Sequence, residues 1–143
     1  MPLTTDIQAL TYALLNGKVG KSRLLAGALT DTLSPKNLPA IIYEIDSPAS
    51  VSNAPRTGRG TVANITFTAL ASSRVAARDT CDAVLSALMD SVGERPPSQP
   101  DSWFTRVTIT QEPVSVTSAP VSGGAIHQYS AVARVIARRD PNR

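Results

Sequence analysis

One helical stripe constrains the fold more than any other feature of this sequence. The stripe consists of Ala77, Cys81, Val84, Leu85 and Leu88. These residues are spaced i, i+4, i+7, i+8 and i+11, as on the buried face of an α-helix. Ser72 or Ser73 can cap its start, because a serine hydroxyl accepts a hydrogen bond from a free backbone amide of the first turn. The sequence therefore predicts an amphipathic helix that ends near Ser91.

Four other segments show the two-residue alternation of β-strands. The predicted strands cover residues 40–45, 60–70, 103–111 and 125–137. In the third strand, Trp103, Val107 and Ile109 are expected on one face. In the fourth, alternate positions from Tyr129 to Ala137 are expected to point inward. Half-buried strands of this kind are typical of an antiparallel sheet with one covered face.

A shorter helix is predicted near the N-terminus, where Ile7, Leu10 and Leu14 recur at helical intervals. Thr5 and Gln8 have the spacing of a capping box. Gly17 is expected to end this helix, because glycine readily adopts the conformation that follows a last turn. The next residues have a mixed pattern, and one further helical turn is predicted around residues 22–26.

Three segments lack a periodic apolar pattern and are predicted to be loops or connectors. Residues 46–59 and 113–124 are rich in Ser, Pro and Gly and are interpreted as long loops. Residues 93–102 contain Pro96, Pro97 and Pro100, which can neither continue a helix nor donate to a sheet. A basic C-terminal tail is expected at residues 138–143.

The order of the elements predicts an α/β (α+β) fold. Helix, strand, strand, helix, strand, strand is expected to give a four-stranded, mostly antiparallel sheet with the two main helices packed on one face. A chain of 143 residues has the length of one domain with one core, so residues 1–143 are predicted to form a single domain. The exposed sheet edges are expected to be covered by another copy of the chain.

Composition argues against several classes of protein. The chain has one cysteine and one histidine, Cys81 and His127, so neither an internal disulfide nor a Cys/His zinc set is expected. No apolar run reaches the roughly 18 residues of a membrane span, and the N-terminus lacks the pattern of a signal peptide. We therefore expect a cytoplasmic protein, without a membrane, metal or cofactor.

No motif indicates catalysis. Gly17 and Lys18 resemble the end of a phosphate-binding loop, but the preceding glycine and strand of that motif are missing. His127 lacks a nucleophile elbow, and the 11 acidic residues are dispersed. We expect a protein that is not an enzyme, although a hydrolase that depends on His127 remains an alternative hypothesis.

From end to end, the chain resembles the tail terminator, or tail-completion, proteins of long-tailed bacteriophages. The resemblance is carried by residues 7–15 (IQALTYALL), 38–44 (LPAIIYE), 62–70, 73–89 and 129–138. It implies a ring, commonly of six copies, that caps the tail tube and offers a docking surface for the head connector. It also implies that DNA passes through the ring without being read, and it provides no catalytic residues.

The resemblance implies three protein partners, namely other copies of the chain, the major tail tube protein and the head-tail connector or stopper protein. The implied location is the head-proximal end of the virion tail. Candidate contact residues are Ser52, Asn53, Arg56 and Arg59 in the first loop, Val116 and Thr117 in the second, and Arg138 and Arg139 near the C-terminus. Alternative hypotheses are a head-tail connector, a minor tail component, or a small basic protein that binds nucleic acid through its arginines.

Overall fold

The computed structural model describes residues 6–19, 23–26, 38–51, 60–121 and 124–140. The helices are α1 (Ile7–Leu15) and α2 (Arg74–Asp90). The strands are β1 (Arg23–Ala26), β2 (Ala40–Val51), β3 (Gly60–Ala71), β4 (Ser102–Val121) and β5 (Gly124–Arg139). They form one sheet in the order β1-β2-β3-β5-β4.

The predicted fold class is confirmed. Strands β2 to β5 pair antiparallel, and α1 and α2 contribute to one core cluster on a single face of the sheet. The helical turn predicted around residues 22–26 is wrong, because β1 pairs there in parallel with the edge of β2, from Arg23 opposite Ala40 to Ala26 opposite Tyr43. The backbone hydrogen bonds of an available strand edge outweigh a weak local preference.

The core lies between the helices and the sheet. Every residue of the predicted α2 stripe is buried, as are the predicted inward positions of β5 from Tyr129 to Ala137. Phe67 and Phe104 are the largest of the fully buried side chains in this layer. Alanines such as Ala131 and Ala133 lie among them, and their small side chains suit close approach of a helix to the sheet.

The helix ends follow local capping chemistry. Ser73 caps α2, and its hydroxyl accepts from the amide of Ala76 at 3.1 Å. The cap of α1 is Asp6, whose carboxylate accepts from the amide of Ala9 at 3.1 Å. The capping box predicted from Thr5 is therefore wrong by one position, and Thr5 itself lies outside the described residues. Gly17 has a φ of 85° just after α1, as predicted.

The first predicted loop, 46–59, is wrong for its first six residues. Strand β2 continues to Val51, which pairs with Gly60. The register shifts by one residue between Asp46 and Ala49, so that Ser47 and Pro48 occupy a β-bulge. A proline has no amide to donate to a ladder, and a bulge is one of the places where a strand tolerates it.

The second predicted loop, 113–124, is wrong over most of its length. Strand β4 continues to Val121, which pairs with Gly124 of β5. β4 has 20 residues against 16 in β5, and four register shifts of one residue each account for the difference. Pro113 lies in one of these bulges. The Ser, Thr and Pro content of residues 113–121 resembles that of a loop, but the backbone hydrogen bonds with β5 keep this segment extended.

The first bulge of β4 reverses the predicted face of Trp103. Phe104 pairs with Ala137 on the helix side, whereas Trp103 pairs with Arg138 on the other side. Thr105 is the extra residue, and after it Val107 again points toward the helix layer. The sequence prediction that Trp103 shares a face with Val107 is therefore wrong.

Candidate assembly surfaces

The side of the sheet opposite α1 and α2 is a second surface that no described helix covers. We call it the open face. Over its central part it carries Glu44, Asp46, Val62, Asn64, Thr66, Arg106, Thr108, Val132, Arg134 and Ile136. These residues share one side because directly paired residues of an antiparallel sheet point to the same face, as do alternate residues of one strand.

The charges of the open face are separated by sign. Glu44 and Asp46 are exposed on β2, and we call them the acidic pair. Arg106 on β4 and Arg134 on β5 are exposed on the other side, and we call them the basic pair. Asp46 and Arg134 both pair with Asn64, one from each side, so the two signs are separated by the width of β3.

An uncharged strip lies between the two pairs. It consists of Val62, Thr66, Val132 and Ile136, which are partly buried, and the exposed Asn64. A shallow depression here is lined by Asp46, Val62, Asn64, Val132 and Arg134, among others. An apolar centre with charged groups at its borders is the usual composition of a protein–protein interface.

The predicted contact residues that the structure describes fall into two groups at opposite ends of the sheet. Val116 pairs with Gln128 near the β4–β5 turn, and Thr117 lies in the next bulge. Arg138 pairs with Trp103 and Gly60 at the other end. Ser52, Asn53, Arg56 and Arg59 lie outside the described residues, between Val51 and Gly60, which pair at the same end as Arg138.

The end near Arg138 is rich in arginine. The Arg95 guanidinium lies 4.1 Å from the centre of the Trp103 ring, a cation–π contact. Arg139 pairs with Ser102, so it faces the opposite way from its neighbour and lines a depression that includes Asp6 and Asp101. Arg138 and Arg139 therefore belong to β5 and face different sides. This corrects the prediction that a basic tail begins at residue 138.

The β4 edge of the sheet is poorly suited to strand addition. Its four bulges interrupt the ladder geometry, and Pro113 and Pro120 lack amide donors. Bulges and prolines are the features with which natural proteins protect edge strands from pairing with other chains. Coverage of this edge by another copy, which the sequence leads us to expect, is therefore not favoured.

A groove lies on the helix side, between α2 and β4. Its lining includes Leu85, Ile109 and Tyr129, with Arg78, Asp82 and Glu112 among the charged residues. The Arg74 Nε donates a hydrogen bond to the Tyr129 hydroxyl at 3.0 Å. This hydrogen bond raises the pKa of Arg74 above its ordinary value. The guanidinium is therefore charged at every ordinary pH and orients the phenol.

The residues with catalytic potential have structural surroundings. Cys81 is fully buried, and burial raises the pKa of its thiol to about 12, with the Asp82 carboxylate acting in the same direction. Lys18, which follows α1, forms an ion pair with Glu94, which follows α2. His127 is partly buried on β5 opposite Ala71. Within the described ranges, no three His, Cys, Asp or Glu side chains are grouped in a way that would hold a metal ion.

Sequence reasoning missed the acidic and basic pairs. Glu44 and Asp46 are two residues apart in a strand, a spacing that places them on one face, but the composition of residues 46–59 predicts a loop from residue 46. The predicted inward positions of Val107 and Ile109 already place Arg106 on the outer face. Its position beside Arg134 could not be predicted, because it depends on the register between β4 and β5.

Comparisons with known proteins find similarity among solved structures. No protein-family model matches the chain, and no curated protein matches it. No helix in the described part of the chain is long and apolar enough to cross a membrane. Among solved structures, the chain is similar to a component of the virion of a native gene transfer agent particle, with a TM-score of 0.41 and 13% identity, over 91% of this chain and 85% of that one.

Proposed function

We propose that this chain is a structural protein of a phage-like virion rather than an enzyme. In this proposal, copies of the chain form a closed ring, of six subunits in the family that the sequence resembles. The ring caps the head-proximal end of the tail tube and presents a docking surface to the head connector. No cofactor is needed, and DNA passes through the centre without being read.

The observation that carries the proposal is the placement of the two strand connections. β2 ends and β3 begins at the level of Arg138 and Trp103. β4 ends at Val121 and β5 begins at Gly124, at the opposite end of the sheet. A terminator ring contacts two different partners along its axis, the tube on one side and the connector on the other. A sheet with separate contact residues at each end has the layout that such a subunit needs.

A second feature supports a scaffolding role. Strands β2 to β5 have 12, 12, 20 and 16 residues, which is long against the usual 5–6 or so. The larger core cluster, on the helix side, holds the two ends in a defined relation, because closely packed interiors deform little. Contacts at one end of the subunit are therefore held at a fixed distance from contacts at the other.

The test is binding to tube ends. Purified protein is added to tail tubes assembled from the cognate major tail protein and imaged by electron microscopy with a label on the chain. We expect label at one end of each tube and rings in end view. Label along the sides of tubes, or no binding by a folded protein, would contradict the proposal. Label on the head side of the joint in complete particles would favour the connector alternative.

A matched pair of aspartate substitutions tests the end near the β4–β5 turn. Val116 is 37% exposed at that end, and Ala83 is exposed at the middle of α2. Val116→Asp is expected to reduce binding to the tube or to the connector by about tenfold, because a buried carboxylate must lose its water. Ala83→Asp is expected to leave both unchanged. Equal effects of the two substitutions would argue against a contact at this end.

A further inference from the structure

We propose that two copies of this chain bind one another through the open face, with the acidic pair of each copy against the basic pair of the other. This inference deepens the proposed function, since it names one surface at which subunits of the assembly would meet. Self-association can nevertheless be measured without a tail tube, so it can succeed or fail independently of the role in a virion.

Neither pair is neutralised by another residue of the described ranges. Asp46 and Arg134 lie on strands separated by β3, so their backbones are roughly 10 Å apart at the usual strand spacing. No hydrogen bond or ion pair joins Arg106 or Arg134 to an acidic residue of the described chain.

Like charges lie close together within each pair of the open face. Arg106 pairs with Ile136, two residues from Arg134, so the two arginines are diagonal neighbours at about 7–8 Å. Glu44 and Asp46 are on one strand and one face, at about 7 Å. Like charges at such distances destabilise an isolated sheet slightly. A partner of opposite charge relieves this repulsion at both places.

The uncharged strip between the pairs supplies apolar area that a partner can bury. Burial of Val62, Thr66, Val132 and Ile136 against another surface removes partly exposed apolar area from water. Charged groups at the borders then select the partner and its orientation. The combination provides both a driving force and a register for docking.

A second copy is favoured over other occupants because one partner must satisfy both signs. Duplex DNA or another polyanion would match Arg106 and Arg134, but Glu44 and Asp46 on the same face would repel it. A partner strand on the β4 edge is disfavoured by the bulges. Another copy presents two acids and two arginines at the same spacing, so it is complementary by construction.

The arrangement fits a two-fold contact. The acidic pair lies toward β2 and the basic pair toward β4, which are on different sides of the face. When two open faces meet about a two-fold axis, the acidic pair of each copy lies against the basic pair of the other. One contact therefore uses both pairs of each copy, and a ring of more than two copies needs a second contact elsewhere on the subunit.

The experiment uses two charge-reversal variants of the full chain. The first is Glu44→Arg with Asp46→Arg, and the second is Arg106→Glu with Arg134→Glu. Analytical ultracentrifugation measures the self-association of each protein alone and of an equal mixture. The control reverses two exposed acids of α2, Asp79→Arg with Asp90→Arg, which lie away from the open face. Circular dichroism checks that every variant is folded.

We expect the unmodified protein and the control to form oligomers that weaken as salt is added. Each open-face variant alone is expected to associate at least about a hundredfold more weakly, because like charges then meet across the interface. The mixture is expected to recover most of the affinity, since one variant now supplies acids where the other supplies arginines. Recovery by mixing is the signature that general damage to the fold would not produce.

Three results would overturn the inference. The first is a monomeric unmodified protein at every concentration tested. The second is folded variants that associate as well as the unmodified chain. The third is a mixture that associates as weakly as its components. If duplex DNA then binds every protein except the variant with Arg106→Glu and Arg134→Glu, nucleic acid is identified as the occupant. Tube-end binding that fails while mixing restores assembly would reject only the proposed virion role.

Discussion

Phe104 and Trp103 are neighbours in sequence and face opposite sides of the sheet. Phe104 is fully buried opposite Ala137 under the helix layer, while Trp103 is partly exposed opposite Arg138 and in contact with Arg95. The bulge at Thr105 creates this arrangement, because it places the tryptophan on the open face and restores the alternation for the rest of β4.

Truncation of these two aromatic residues should therefore differ in effect. Phe104→Ala is expected to lower the free energy of unfolding by about 3–5 kcal/mol, since it leaves a cavity in the core. Trp103→Ala is expected to lower it by about 1 kcal/mol, because the ring is only partly buried. Urea titration followed by circular dichroism measures both. Equal losses, or a larger loss at Trp103, would show that the register of β4 is different.

Replacement by valine should change the stability of the protein in opposite directions at two buried threonines. The Thr61 hydroxyl is buried and has no hydrogen-bond partner among the described residues, whereas the Thr11 hydroxyl donates to the Ile7 carbonyl at 2.7 Å. Thr61→Val keeps the shape and removes an unpaired polar group, so it should stabilise the protein by about 1 kcal/mol. Thr11→Val should destabilise it by about 0.5–1.5 kcal/mol. Thermal unfolding of both variants tests the signs, and destabilisation at Thr61 would reveal a missing partner.

Adjacent serines allow a sharp test of the α2 cap. Only the Ser73 hydroxyl accepts the amide of Ala76, so Ser73→Ala should lower the free energy of unfolding by about 1 kcal/mol. Ser72 is exposed one residue earlier, and Ser72→Ala should change it by less than about 0.5 kcal/mol. Chemical denaturation compares the pair. The reverse order of effects would move the start of the helix by one residue.

Cys81 is expected to be chemically silent in the folded protein. With a pKa of about 12, roughly one thiol in ten thousand is ionised at a pH near 8, and the residue is fully buried. Alkylation should therefore follow unfolding and accelerate sharply when urea is added. Mass spectrometry of iodoacetamide-treated samples measures this. Rapid modification under native conditions would contradict the burial of α2 against the sheet.

The same thiol predicts a loss of stability in alkali. In the unfolded chain the thiol ionises near its ordinary pKa of 9.0, while in the folded chain it stays protonated up to about 12. Its contribution is complete below pH 9 or so, and between the two values each pH unit lowers the free energy of unfolding by about 1.4 kcal/mol. The difference between the unmodified protein and Cys81→Ala, measured against pH, isolates this effect. A difference that does not change with pH would refute it.

The surface that we propose for self-association was only partly accessible to sequence reasoning. The pattern of β5 correctly placed Arg134 on the side away from the core, since it alternates with buried Ala133 and Val135. It could not show that Asp46 lies on the same rung, because that relation depends on two pairings across β3. The predicted contact residues at 52–59 lie outside the described residues, so their contacts stay a prediction.

Elements with a local signal can be predicted from the sequence. The stripe of α2, its serine cap and the inward alternation of β5 follow from the spacing of neighbouring residues, and with the order of the elements they are enough for the fold class. The lengths of β2 and β4, the existence of β1 and the face of Trp103 are set by strand pairing in the folded chain. These features depend on backbone hydrogen bonds between distant segments, whose register is set by bulges and by the packing of one face under the helices.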